Sequence, residues 1–409
     1  MKINLTARIF IGLLLGIAVG HFYRMYHPAE ADYKNFAENI QILSDIFLRL
    51  IKMIIAPLVF ATLVVGVAKV GDFKSIGRIG IKTILYFQFA TILALALGLV
   101  LVNVFEPGHV MQLPVPPDTA SSGIASKMPT LKDFITHVIP KSVVEAMANN
   151  EILPLVIFSL FFGVAAASMG EFAKPLIHAL DIVGHVMFKV THYVMLFAPF
   201  GVFGAIASVV ALQGIGIISG YIYLIGCFYV GLLFFAFVIL GGICIALKIP
   251  FFKLLKHIRE PMLLAFSTAS SESAFPKLVL ALERYGCSNR IVSFVLPLGY
   301  SFNLDGSIMY MTFATVFIAQ SYGIEMTTNE QIIMMLMLLV TSKGMAGVPR
   351  ASLVVIAGML GAFHIPEAGL LLLLGIDQVL DMGRSATNVI GNAVATAVIS
   401  KWEGELEVA

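Results

Sequence analysis

Five polar residues, Asp377, Asp381, Arg384, Asn388 and Asn392, run through the last long apolar segment at spacings of four, three, four and four residues. At about 3.6 residues per turn these spacings hold all five side chains within roughly a quarter of a helix circumference. Ionised and amide groups are costly at bilayer depth, so an apolar segment that carries them turns them toward a substrate path or toward partners inside a bundle. A second constellation is Asn303-Leu304-Asp305-Gly306-Ser307, midway along another apolar segment. Asn, Asp and Gly are poor helix formers, so this run predicts an unwound turn whose carbonyls and Asp305 carboxylate face inward. That donor set suits a hard cation or a proton; the plainer alternative is a helix kink with internally hydrogen-bonded polar groups.

The elements that position these residues belong to a polytopic membrane protein. Hydrophobic residues make up 59% of the 409-residue chain and charged residues only 12%, with a mean hydropathy of +0.95, too little charge to cover a soluble surface. The net charge of +2 is spread over short loops and excludes a nucleic-acid partner. Cys227, Cys244 and Cys287 are odd in number and far apart, which indicates packing residues rather than a disulfide framework or a zinc site. No cleavable signal is expected, because the first apolar run continues to about Tyr23 and further spans follow.

Apolar runs predict eight membrane helices, near 1–23, 41–68, 80–105, 151–169, 175–211, 216–247, 291–320 and 368–400. Several exceed the roughly 20 residues a span requires, so tilt is expected. Two further stretches, 252–285 and 331–364, are interrupted at the middle by Ser270-Ser271-Glu272-Ser273-Ala274-Phe275-Pro276 and by Gly344-Met345-Ala346-Gly347-Val348-Pro349. Both predict helical hairpins that enter the membrane and turn back. Lys and Arg concentrate in 1–8, 69–82 and 248–259, whereas the 321–330 turn has Glu325 and Glu330 without a basic residue, which places both termini in the cytoplasm. The first hairpin then enters from the cytoplasm and the second from outside. Hairpin followed by broken helix occurs twice with opposite orientation, an inverted repeat in which discontinuous helices meet near the midplane.

The serine-rich tip at Ser270 to Pro276, the Asn303 to Ser307 run, the Gly347-Val348-Pro349 tip and the Asp377, Asp381, Arg384, Asn388 series occur in one order. In these features, and over nearly its whole length, the chain resembles the dicarboxylate and amino acid:cation symporters. That resemblance implies an all-α, eight-helix, two-hairpin homotrimer working as an elevator. Scaffold helices would lie in 1–79 and 151–211, an external loop at 106–150 and a cytoplasmic tail at 402–409. The transport domain would comprise 80–105 and 216–401. The membrane would be the bacterial cytoplasmic membrane, and no cofactor beyond the transported cation is implied.

The same resemblance assigns roles by position. Arg384 would take the side-chain carboxylate of the substrate and Asp381 its ammonium. Asn388 and Ser271 would take its main-chain carboxylate, with Ser270, Ser307, Ser385 and backbone at Val348 completing the pocket. Arg384 paired with Asp381 favours glutamate or aspartate over a C4-dicarboxylate, which has no ammonium for Asp381; an internal ion pair between the two is the plainer reading. Pro276, Gly347, Pro349 and Arg350 would belong to the gates.

Coupling would involve Thr91, Gly299, Asn303, Asp305, Asp377 and Asn392, with Glu272 as a further carboxyl. Where sodium-driven members have an aspartate this chain has Asn392, and Ala90-Thr91 offers one hydroxyl where they have two. Proton coupling is therefore expected, with sodium coupling as the alternative. Asp305, Glu272 and Asp377 are the candidate proton carriers, since burial raises a carboxyl pKa. His178, His185 and His192 share a helix face, but two turns separate neighbours by about 10 Å, too far for one metal ion. Lys343 and Arg350 flank the second tip; they either snorkel toward solvent or replace a bound cation. An enzyme is excluded: there is no metal-ligand cluster, no nucleophile with a base and no phosphate-binding loop. A passive channel is the remaining competitor.

Overall fold

A computed structural model describes residues 5–70, 73–111, 115–116, 139–149, 151–342, 351–374 and 376–408. Among them the chain is helical throughout, and its one β feature is an isolated bridge between Cys287 and Leu406. Five described stretches are long and apolar enough to cross a membrane, or six if one bent pair is a single span. The principal helices are α1 (Leu5–Tyr26), α2 (Glu30–Val70), α3 (Phe73–Phe105), α4 (Ile152–Ser168), α5 (Lys174–Met195) and α6 (Ala198–Gly220). They continue as α7 (Ile222–Ala246), α8 (Phe251–Thr268), α9 (Phe275–Tyr285), α10 (Asn289–Phe302), α11 (Asp305–Ser321), α12 (Thr328–Thr341), α13 (Ala351–Ala362) and α14 (Asp377–Glu403).

These helices sort into two packed groups. α2 lies against α4, α5 and α6, and α1 against α6. The α1–α6 seam is narrow because Gly12, Gly16 and Gly20 recur every four residues; a Cβ at Gly12 or Gly20 would sit 2.5 Å from the carbonyl oxygen of Pro199 or Ala207. The second group surrounds α11 and α14, with α3 and α13 against α11 and with α8 and α10 against α14. Every residue of α11 from Asp305 to Gln320 is buried, as is most of α14. A helix enclosed on all sides has no lipid face, so the polar residues of these two must be satisfied inside the protein.

Several sequence-predicted boundaries move. The 24–40 segment is not a loop: α2 begins at Glu30, where Glu30 and Asp32 complement the helix dipole and Lys34 pairs with Glu30 at 2.6 Å. The 175–211 span is two helices, α5 and α6, bent by 51°. Pro199 in the first turn of α6 lacks an N–H and crowds the preceding turn, and the Leu196 and Phe197 amides fall back on i−3 carbonyls. α6 is broken again at Gly214, where φ is 66°, and Arg24 donates to the carbonyls of Ala211 and Leu212 beside the break. The last span is likewise not continuous from 368. A 3-10 turn at Glu367–Leu370 and a short helix at Leu371–Leu374 precede α14, so Asp377 opens that helix.

The first hairpin is formed by α8 and α9, which run antiparallel. Tyr285 at the end of one arm donates to the Pro250 carbonyl before the other at 3.4 Å, and Lys277 pairs with Glu260 at 2.9 Å. The tip turns through Ala269 at φ 48° and a 3-10 turn at Glu272–Ala274. α12 starts with a capping box between Thr327 and Glu330 and touches α13, while the tip residues Lys343 to Arg350 lie outside the described residues.

The segment read as a free tail is a strap. Gly404 at φ 74° ends α14, after which Glu407 donates its amide to the Gly286 carbonyl at 2.9 Å. Glu405 accepts from Ser288 and faces Arg290 at 3.4 Å. Glu403, whose side chain is 2% exposed, pairs with Arg78 at 2.7 Å and Lys82 at 2.6 Å. The strap thereby ties α14 to α3 and to the α9–α10 connection. The hydrogen bond from Arg78 holds the Glu403 carboxyl below its usual 4.5. A depressed carboxyl stabilises the fold above its unfolded pKa and loses that contribution as pH falls through the folded value. Glu403→Gln is expected to lower thermal stability by about 2 kcal/mol at neutral pH. In thermal unfolding of purified protein, the difference from wild type should shrink as pH falls below the ordinary carboxyl pKa and vanish only below the depressed folded value.

Candidate functional site

The break before α14 puts Asp377 in its first turn, and seven residues on, Arg384 folds its guanidinium back toward it. Arg384 is 2% exposed. Its Nη2 lies 2.9 Å from Asp377 Oδ1 and 3.1 Å from Asp381 Oδ1, and the guanidinium carbon stands 4.0 Å above the Tyr310 ring. Two carboxylates and an aromatic face thus compensate one buried cation. Among the described residues Nε and Nη1 of Arg384 have no hydrogen-bond partner. Asp377 is buried, whereas the Asp381 side chain is 34% exposed. The pair is a cation held by one edge, with its other donors open for a second anion.

One turn further, Asn388 reaches across to α11. Its Oδ1 accepts from the amides of Gly306 at 2.9 Å and Ser307 at 3.4 Å, and its Nδ2 donates to Ser307 Oγ at 3.1 Å. The first amides of a helix lack intrahelical partners, and here a side chain of another helix supplies one. Only Asn303 and Leu304 are non-helical at this break, so Asp305, Gly306 and Ser307 begin α11 instead of forming part of an unwound turn. Asn303 Nδ2 donates to Asp305 Oδ2 at 3.2 Å and to Asn392 Oδ1 at 3.4 Å. Asn303, Asp305 and Asn392 are all enclosed, and Asn303 Oδ1 and Asn392 Nδ2 are without a hydrogen-bond partner among the described residues. This approach requires glycine: a Cβ at Gly391 would overlap Asp305 Oδ2, and one at Gly299 would overlap Asn392 Oδ1.

The structure therefore brings Asp377, Asp381 and Arg384 together, joins Asn388 to Ser307, and joins Asn303 and Asp305 to Asn392, with Gly299 against Asn392. Ser385 is buried on α14, and Thr91 and Ala90 are buried on α3. The first tip makes its contact with α10: Tyr300 donates to the Ser271 carbonyl at 2.9 Å, and Ser273 to the Ser270 carbonyl at 2.7 Å. Glu272 is half-buried there, and Pro276 is buried in the first turn of α9. Val348, Gly347, Pro349, Arg350 and Lys343 lie outside the described residues. His178, His185 and His192 are exposed on α5, and no metal-binding group of three or more ligands occurs among the described residues.

Sequence reasoning missed Tyr310 and Tyr300. Tyr310 was within reach of it, since it follows Ser307 by three residues and so shares that residue's helix face. Tyr300 carries no comparable local signal.

The profile of the sodium:dicarboxylate symporter family matches residues 5–402. This chain belongs to that family. It is a multi-pass membrane symporter, not an enzyme. The symporter is 43% identical over 412 residues to a proton/sodium-glutamate symport protein of Bacillus caldotenax, covering 99% of this chain and 96% of the relative. It is 41% identical over 415 residues to a proton/glutamate-aspartate symporter of Escherichia coli K12, covering 100% and 94%. A C4-dicarboxylate transport protein of Pseudomonas syringae pv. tomato is 41% identical over 410 residues, covering 99% and 87%.

The Gly391 contact can be tested in the symporter directly. Gly391→Ala would push the Asp305 carboxylate out of place at a strain of about 1–3 kcal/mol. Uptake is expected to fall at least tenfold while the protein still reaches the membrane and purifies as a folded species, measured by radiolabelled uptake beside size-exclusion chromatography.

Proposed function

We propose that this symporter takes up glutamate or aspartate together with protons. The observation that carries the reading is the Arg384 guanidinium, held on one edge by Asp377 and Asp381 while Nε and Nη1 remain open. Unpartnered guanidinium donors suit a carboxylate, and the partly exposed Asp381 supplies a counter-charge for an ammonium three or four bonds from that carboxylate. A C4-dicarboxylate has no ammonium to set against the Asp381 carboxylate. The relatives named for glutamate and for glutamate-aspartate support the substrate class, and the relative named for C4-dicarboxylates marks the alternative.

Ser270, Ser271, Ser307, Ser385, Asn388 and the Val348 backbone complete the substrate pocket in this reading. Asp305, with Asn303, Thr91, Gly299, Asn392, Asp377 and Glu272, forms the coupling region. Proton coupling is supported by Asn303 Nδ2, which directs hydrogens at both Asp305 and Asn392. A sodium ion replaces its water shell with oxygens, and an amide N–H in their midst opposes it.

The proposal extends to architecture: eight spans and two re-entrant hairpins, both termini cytoplasmic, in a homotrimer in the bacterial cytoplasmic membrane. The α1, α2, α4, α5 and α6 group is the scaffold, and the group around α11 and α14, with α3, is the elevator. Pro276, Gly347, Pro349 and Arg350 belong to the gates. Closure over the substrate is productive because substrate and proton bind the closed state better than the open one.

Proteoliposomes in sodium-free buffer with the interior alkaline are expected to accumulate glutamate or aspartate, and succinate poorly. Arg384→Ala should weaken substrate binding by about 2–5 kcal/mol, roughly thirtyfold or more, through the unpaired carboxylate it leaves. Complete loss of uptake without sodium would overturn the proton assignment; preferred accumulation of succinate would overturn the substrate.

A further inference from the structure

Away from the α11–α14 site, a half-open cleft of about 300 Å³ lies between α5 and α9. Its polar lining is His185, Lys189, Thr191, His192, Lys277 and Arg284, and no carboxylate lines it. The neighbouring acids are already engaged. Lys277 pairs with Glu260 at 2.9 Å, His185 Nδ1 lies 3.9 Å from Asp181 Oδ2, and Glu283 accepts from Asn289 at 2.5 Å. Lys189 and Arg284 remain: among the described residues neither has a carboxylate within ion-pairing distance, and the contact recorded for Lys189 is the Tyr193 ring at 5.3 Å. The cleft therefore gathers Lys189, Arg284 and two imidazole rings, with Glu283 behind them as an acid whose charge acts on Arg284 and His185, around a space large enough for a phosphate group.

What surrounds the cleft is apolar. Phe188 and Leu280 complete its walls, and α5 exposes Ile182, Val183, Val186, Tyr193 and Leu196 alongside it. A soluble anion gains nothing from such a rim, whereas a lipid places its phosphate among the cations and its acyl chains over the exposed α5 side chains. Basic pockets between membrane helices favour anionic headgroups on those grounds. Arg284 also fixes the depth. It closes α9 two residues before Gly286, which holds the C-terminal strap, so one end of the cleft lies at the level of the face that carries the C-terminus.

We propose that this cleft binds the phosphate of an anionic phospholipid from the leaflet on the C-terminal side. The bound lipid bridges α5 of one packed group and α9 of the other. The inference is independent of which substrate or ion is transported.

The test compares phosphatidylglycerol with phosphatidylcholine on detergent-purified protein, by native mass spectrometry and by the thermal shift each lipid produces. Wild type is expected to retain phosphatidylglycerol selectively. Each of Lys189→Gln and Arg284→Gln should weaken that binding about fivefold, and the pair about thirtyfold. The single variants serve if the double variant does not fold. Lys34→Gln, on the exposed start of α2, should leave lipid selectivity unchanged. Selectivity kept by the Lys189 and Arg284 variants would overturn the proposal. So would displacement of phosphatidylglycerol by 50 mM inorganic phosphate, on the order of the weakest free-anion affinities, since it would mark a soluble-anion site.

Discussion

A guanidinium enclosed among apolar helices must keep its charge compensated, and most of the site's architecture follows from that constraint. Removing an ion from water costs on the order of several kcal/mol even after relaxation. Arg384 meets the cost with Asp377, Asp381 and the Tyr310 face. Each partner has its own structural condition. Asp377 can reach back only because α14 begins there, with Ile376 as its N-cap. Tyr310 is in place only because α11 starts at Asp305 and carries the ring one turn along. Both helix breaks serve one charge.

Breaks in turn expose backbone, and in a membrane that backbone has no water to satisfy it. The first turn of α11 solves this with Asn388, so the helix that carries Arg384 also caps the helix that carries Tyr310. The cap needs the two backbones close together. Gly306 against the Arg384 backbone, Gly391 against Asp305 and Gly299 against Asn392 supply that proximity. The polar stripe on α14 is thus divided in labour along its length. Its first members hold a cation, its middle caps a helix and its last accepts from Asn303, the amide that also donates to Asp305.

How much of this was legible in the sequence depended on range. The stripe, the break at Asn303 and the turn of the first hairpin are local patterns: helical spacing, poor helix formers in a row, small residues with a proline. The α5–α6 bend had a readable cause in Pro199, yet the surrounding run is so apolar that hydropathy alone merges the two helices. The Asn388 cap joins residues 82 apart, and nothing in either segment announces the other. Tyr300 and Tyr310 look like ordinary core aromatics until their partners are placed. The C-terminal strap is a short acidic stretch without periodicity. Its position follows only from basic and polar partners at Arg78, Lys82, Ser288 and Arg290, which lie far away in the chain.

The substitution at Asn392 bears on coupling through hydrogen count as much as through charge. An aspartate facing Asp305 would set two anions side by side, an arrangement that calls for a multivalent or several-coordinate cation between them. An asparagine removes one anion, and its Oδ1 accepts from Asn303, whose amide already donates to Asp305. A single carboxylate flanked by amides has one negative charge to neutralise, and one proton does so without requiring a shell of oxygens. Under the proton-coupled reading, Asp305 is then one of the carboxyls that could load and unload, beside Asp377 and Glu272. Asn303 is the residue that feels the change at Asp305 first, because protonation of Asp305 Oδ2 would turn the acceptor of its Nδ2 into a donor. The Asn303 Oδ1, without a partner among the described residues, is then an acceptor for the acid's new O–H, and that contact acts directly on the α10–α11 break that Asn303 forms.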